Sequence, residues 1–183
     1  MYLVFNIFKN IVKYLIKCGI IFYIILFILD GENMIKDIII KSPDEMIKLG
    51  EKIGTIAFPN MLITMLGDLG AGKTTMTKGI AKGLGISGVV NSPTFTIMKI
   101  YDGRLRLYHL DVYRIDNPLN DFELEEYFED DGVCVIEWAN QINELLPNER
   151  LDIEILDLGN NERKVIFKSN TKVYDDVILE VTK

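Results

Sequence analysis

Gly67-Asp68-Leu69-Gly70-Ala71-Gly72-Lys73-Thr74, followed by Thr75, is the stretch on which the reading of this chain turns. It fills G-x-x-x-x-G-K-[ST] at every required position. It also stands between a continuous hydrophobic run, Met61 to Leu66, and a helix-forming stretch from Thr74 to about Leu84. That strand-to-helix context separates a phosphate-binding P-loop from a chance match in a structural turn. The glycines let the backbone curl so that successive N–H groups face phosphates, and the following helix adds the positive end of its dipole. Asp68, Leu69, Gly70, Ala71 and Gly72 are therefore expected to cradle phosphate through the backbone, with Lys73 neutralising β- and γ-phosphate charge. The Thr74 hydroxyl is the expected magnesium ligand, and Thr75 is placed to reach an α-phosphate.

Working outward, Ile35 to Lys41 is an apolar, β-branched run suited to a strand. Ser42-Pro43-Asp44-Glu45 then spells a helix start, with Ser42 as cap, Pro43 at the first helical position and Glu45 completing a capping box. Met46, Leu49, Gly50, Ile53 and Ala57 keep helical spacing to about Ala57. Beyond the P-loop helix, Gly85 and Gly88 open a loop carrying Ser92-Pro93-Thr94-Phe95. Thr96 to Tyr101 and Leu105 to Val112 read as strands joined at Asp102-Gly103, a hairpin signal. Pro118 to Phe128 reads as an amphipathic helix whose acids form a solvated face. Val133 to Ile136 is a second buried strand ending at Glu137-Trp138, followed by a short helix before Pro147. Leu151 to Leu158 and Lys164 to Phe167 flank Gly159-Asn160, a further hairpin. The expected fold class is α/β, a P-loop NTPase-like three-layer sandwich whose mixed central sheet includes antiparallel hairpins.

Composition narrows the function classes. The net charge of −7 is concentrated, at −8, in residues 34–183, since residues 1–33 carry Lys9, Lys13 and Lys17 against Asp30 and Glu32. An acidic body argues against broad, charge-driven nucleic-acid binding, which needs Lys and Arg to replace counterions. Two cysteines, Cys18 and Cys134, do not make a zinc site or a disulfide framework, and Cys134 among Val133, Val135 and Ile136 reads as a buried core thiol.

Residues 1–33 form an apolar extension that fits neither an anchor nor an export signal. A spanning helix needs about 20 apolar residues, and Lys17 cuts the run to Cys18–Leu29. Asp30-Gly31-Glu32-Asn33 lacks the small-x-small pattern of a cleavage site. Gly31-Glu32-Asn33 can be encoded as a purine-rich ribosome-binding sequence, so Met34 is the expected true start. Residues 34–183 are expected to form one P-loop domain in the cytoplasm, with no stable membrane association.

Magnesium also calls for a carboxylate at the end of a strand beside the P-loop strand, and Asp111 and Glu137 both qualify. Alternation on the first of these strands puts His109, Asp111 and Tyr113 on one face, so both carboxylates could face one cavity. Thr94 lies where a switch threonine would contact magnesium and γ-phosphate, while Ser92-Pro93 is equally readable as a plain turn. His109, the only histidine, reads as a hydrogen-bonded structural residue before a catalytic one. Tyr113 and Trp138 read as packing residues near the site. Adenine is favoured over guanine, because no N-K-x-D or T-K-x-D element follows a late strand; Thr171-Lys172-Val173-Tyr174 comes nearest and lacks the acid.

Four elements in order, G-D-L-G-A-G-K-T-T at Gly67 to Thr75, S-P-T-F at Ser92 to Phe95, H-L-D-V-Y-R at His109 to Arg114 and I-E-W at Ile136 to Trp138, make the chain resemble the bacterial TsaE ATPase family. That family serves the machinery that makes threonylcarbamoyladenosine beside the anticodon of tRNA. The resemblance spans roughly Ile35 to Phe167. It implies ATP hydrolysis with Mg2+, coupled to the threonylcarbamoyl transferase subunits and only indirectly to tRNA. It implies that Thr74 and Glu137 hold magnesium, Lys73 holds phosphates, Asp111 positions or activates water, and Thr94 senses the γ-phosphate. Partner contact through His109, Tyr113, Arg114 or Trp138 is a further implication. The rival readings are a small P-loop kinase, which needs an arginine-bearing lid that Arg104, Arg106, Arg114, Arg150 and Arg163 do not form, and a membrane-tethered nucleotide-binding adaptor.

Overall fold

The computed structural model describes residues 33–115, 124–128 and 130–183. The reading of residues 1–33, save Asn33, and that of most of Pro118–Phe128 lie outside them. The elements in chain order are β1 (Met34–Ile40), α1 (Pro43–Ile56), β2 (Met61–Leu66), α2 (Lys73–Gly83), β3 (Met98–Tyr101) and β4 (Leu107–Asp111). A 3₁₀ turn (Leu124–Tyr127), β5 (Val133–Glu137), a second 3₁₀ segment (Ala139–Leu145), β6 (Leu151–Gly159), β7 (Glu162–Ser169) and α3 (Lys172–Val181) follow.

The strands form one mixed sheet in the order β1-β7-β6-β2-β5-β4-β3. Its centre, β6-β2-β5-β4, is parallel, and β1, β7 and β3 pair antiparallel at the flanks. The parallel strands β2, β4 and β5 are buried almost throughout, as the continuous apolar runs require of strands covered on both faces. One face carries α1, α2 and α3 over Ile63, Met65, Leu107, Val135, Ile153 and Phe167. Opposite it, among the described residues, the two 3₁₀ segments close over Leu62, Tyr108, Leu110, Cys134 and Ile136. Burial pushes the Cys134 thiol far above its usual range.

Local chemistry accounts for the element ends. Ser42 Oγ accepts the Glu45 N–H at 3.2 Å with Pro43 opening α1. Glu45 returns to the amide of Lys41 at 2.7 Å, one residue before the position that a capping box uses. Arg104 closes the other end of α1 by donating to the carbonyls of Gly54, Thr55 and Ala57.

Four expectations shift. β3 begins at Met98, because Ile97 takes φ 64°, a left-handed conformation costly for a β-branched residue. The β3–β4 connection spans residues 102–106, between the paired Tyr101 and Leu107, and is no tight turn at Asp102-Gly103. The β6–β7 turn falls on Asn160-Asn161, with φ 50° and 64°, between the paired Gly159 and Glu162. Finally, α3 is not among the expected elements, although Tyr174, Val177, Ile178 and Val181 carry the helical spacing and are its buried face.

The tightest contact in the fold is between α1 and α2. Gly50 and Gly54 face Gly79 and Gly83, and a Cβ built on Gly79 would lie 2.2 Å from the Ile47 carbonyl, one on Gly50 2.3 Å from that of Met76. Backbone meets backbone, so neither side has a flexible chain that can yield. Gly79→Ala should therefore destabilise by about 1–3 kcal/mol through overpacking, although helix propensity alone would make it stabilising by up to about 1 kcal/mol. The sign of the shift in a urea unfolding midpoint decides between the two. Tyr174 ties α3 beneath β2 by accepting the Leu62 N–H at 3.0 Å. Tyr174→Phe orphans this buried amide and should cost about 1–3 kcal/mol in the same measurement.

Candidate functional site

The turn from β2 into α2 wraps Gly67–Gly72 with Gly72 at φ 116°, open to glycine and strained for any other residue. The first-turn amides of α2 have no intrahelical acceptor, and Gly72 offers them no side-chain cap. Lys73 is buried. Its ammonium donates to the carbonyls of Gly67 at 2.6 Å and Asp68 at 3.0 Å and lies 3.7 Å from the centroid of the Trp138 ring. Burial lowers the Lys73 pKa from its ordinary value, opposed by the nearby charges of Glu137, Asp111 and Asp68.

Parallel register brings the carboxylates together. Met65 on β2 pairs with Glu137 on β5, and Glu137 pairs with Asp111 on β4, so both acids stand at the strand ends beside the P-loop. Glu137 is 2% exposed. Its Oε2 accepts the Thr74 hydroxyl at 3.0 Å, and its Oε1 meets His109 Nε2 at 2.8 Å. Asp111 Oδ2 accepts the Ser92 hydroxyl at 2.8 Å and the Thr94 hydroxyl, while Oδ1 accepts the Tyr113 amide at 3.2 Å. The two candidate acids thus hold different partners, Glu137 the P-loop helix and Asp111 the loop before β3.

Lys73, Thr74, Thr75, Thr94, Asp111, Glu137, Leu69, Gly70 and Gly72 line one cavity of about 460 Å³ with Ser92, Tyr113, Arg114 and Trp138. Ala71 and Asp68 do not line it: Ala71 is buried, and the Asp68 side chain is exposed, with its carbonyl on Lys73. Tyr113 stands in the turn after β4 and stacks on Trp138 with centroids 4.8 Å apart. Arg114 lies over the exposed Phe95 ring at 4.6 Å. Trp138 itself adopts φ 64°, which turns the chain at the end of β5 so that its amide meets the Met65 carbonyl at 3.0 Å. Among the described residues no group of three or more His, Cys, Asp or Glu is arranged to hold a metal. Thr74 and Glu137 form instead an oxygen pair that suits a hard cation completed by phosphate and water.

Two contributors escape sequence reasoning. Ser92, readable as part of a turn, shares Asp111 with Thr94, its hydroxyl 2.6 Å from that of Thr94. Arg163 on β7 donates to the Ala71 carbonyl at 3.1 Å and is paired with Asp157 at 2.8 Å, bracing the P-loop from a distant strand. No local signal marks it, since only the sheet order brings it there. Thr171–Tyr174, the nearest match to a guanine-reading element, forms the start of α3, where Tyr174 is buried.

The fold and this strand-end arrangement define a P-loop α/β protein. The family model for threonylcarbamoyl adenosine biosynthesis protein TsaE matches residues 40–165. The chain is 48% identical over 78% of its length to tRNA threonylcarbamoyladenosine biosynthesis protein TsaE of Bacillus subtilis, covering 90% of that protein. To the protein of the same name from Treponema pallidum it is 36% identical, over 68% of this chain and 94% of the relative. Among solved structures, the crystal structure of Bacillus subtilis YdiB superposes with a TM-score of 0.73 at 41% identity, covering 82% of this chain and 96% of that one. The chain belongs to the TsaE family. No helix among the described residues is long and apolar enough to cross a membrane.

Asp111 is the tether of the loop before β3. In Asp111→Ala the amides of Thr94, now on Ser92 Oγ, and of Thr96, now on the Pro93 carbonyl, should exchange with solvent at least about tenfold faster. Hydrogen-exchange mass spectrometry of residues 91–97 reads this, and β2 and β5 should stay protected.

Proposed function

We propose that this protein is a magnesium-dependent ATPase that supports N6-threonylcarbamoyladenosine modification of tRNA by binding and resetting the threonylcarbamoyl transferase complex in the cytoplasm. The observation that carries the reading is the convergence of the Thr74 hydroxyl and the Glu137 and Asp111 carboxylates at the N-terminus of α2. The shared name of the relatives supports the tRNA pathway, and the acidic body supports an indirect relation to tRNA through partner subunits.

In this mechanism the amides of residues 69, 70 and 72–75, at the start of α2, bind the triphosphate. Lys73 exchanges the Gly67 and Asp68 carbonyls for phosphate oxygens. Thr74 and Glu137 would hold magnesium, which would supply positive charge against the triphosphate. Asp111 positions or activates the attacking water, with Oδ2 held by the Ser92 hydroxyl. Thr94 senses the γ-phosphate by giving up Asp111 for it, so the loop carrying Phe95 reports the nucleotide state to the partner. The exposed edge formed by Phe95, Tyr113 and Arg114 is the side that partner subunits reach.

The test is tRNA threonylcarbamoylation by the other subunits with and without this protein. Lys73→Ala and Glu137→Ala should each lower the stimulation by roughly 10²-fold, the usual loss for a charge-stabilising group, while remaining folded. Stimulation by both variants at the level of the unsubstituted protein would sink the mechanism.

A further inference from the structure

His109 sits in the middle of β4, fully buried, on the face that it shares with Leu107 and, across the ladder, Val135. Both of those neighbours are apolar. Its Nε2 lies 2.8 Å from Glu137 Oε1, and a carboxylate oxygen only accepts, so Nε2 carries the proton. Nδ1 is buried with no hydrogen-bond partner. A core position that needed only volume would be filled by an apolar residue, and the orphaned nitrogen marks a histidine kept for what its other nitrogen does.

The two Glu137 oxygens are divided between two partners. Oε1 is taken by His109, and Oε2 points at the Thr74 hydroxyl, 3.0 Å away, at the mouth of the cavity. We propose that His109 is the positioning residue of the magnesium site: its Nε2–H pins Oε1, and the pin sets the carboxylate rotation that leaves Oε2 facing the metal position. The inference rests on the magnesium-ATP reading above. It assigns His109 no contact with nucleotide, water or metal; the residue acts through Glu137 alone. Such supports around a metal ligand are worth about 10- to 100-fold in metal affinity.

The test uses Mn2+ as the probe, with ADP on the full chain, read by electron paramagnetic resonance. His109→Leu should weaken Mn2+ binding to the ADP complex by about tenfold or more, while ADP affinity in EDTA stays within about twofold. His109→Gln, whose amide can donate to Oε1, should recover part of the loss, and His109→Val, which donates nothing, replaces the leucine variant if that one fails to fold. A histidine that only fills the core would shift the metal-free unfolding midpoint and leave Mn2+ affinity unchanged, and that result overturns the proposal. Glu137→Ala is the control for the underlying reading. If it binds Mn2+ normally, the magnesium site is misassigned and the role of His109 falls with it; if it loses Mn2+ while His109→Leu does not, only the positioning role is overturned.

Discussion

A carboxylate removed from water at the end of β5 is the constraint around which the site is built. Leaving Glu137 buried and unmet would cost several kcal/mol, and the fold meets both of its oxygens, one from β4 through His109 and one from α2 through Thr74. Those two bonds join the parallel sheet to the helix that begins at the P-loop. The distance between Thr74 and the strand ends is therefore set by the sheet register, with Met65, Glu137 and Asp111 in one row.

The helix layer holds α2 in the same place from the other side. Direct backbone contact through Gly50 and Gly79 leaves little freedom for α2 to slide along α1, because contacts between main chains cannot be relieved by a rotamer change. Arg163 adds a brace on the Ala71 carbonyl. These three restraints, from sheet, helix and hairpin, hold the amides at the start of α2 in place.

Strain is concentrated where the chain must leave this rigid frame. Trp138 and Ile97, both in the left-handed region, stand just after β5 and just before β3, flanking the two carboxylates. Such conformations persist only where the surroundings over-determine them. At Trp138 the surroundings are the Met65 carbonyl, the Tyr113 ring and the Lys73 ammonium; at Ile97 the carbonyl takes the amide of Asp111.

The P-loop, its flanking strand and helix, the capping of α1 by Ser42 and the candidacy of Asp111 and Glu137 were legible in the sequence. Each is written in local signals, whether turn chemistry, periodicity or a charge ending an apolar run, and local signals survive without a fold. α3 was written in the same way, in the spacing of Tyr174, Val177, Ile178 and Val181, and was nonetheless not among the expected elements. Position at a strand end left the two acids equal, and only the resemblance gave them different roles; their hydrogen-bond partners were not legible, and only the strand order gave His109 and Thr74 to Glu137 and Ser92 and Thr94 to Asp111. Arg163 and the facing glycines were invisible for the same reason, since contacts between residues dozens of positions apart depend on which strands and helices become neighbours. The sequence alone therefore determined which groups are candidates for the site, because residue type and local backbone freedom are properties of short segments. The tertiary structure decided how those groups are paired, because pairing is a matter of sheet register and helix approach.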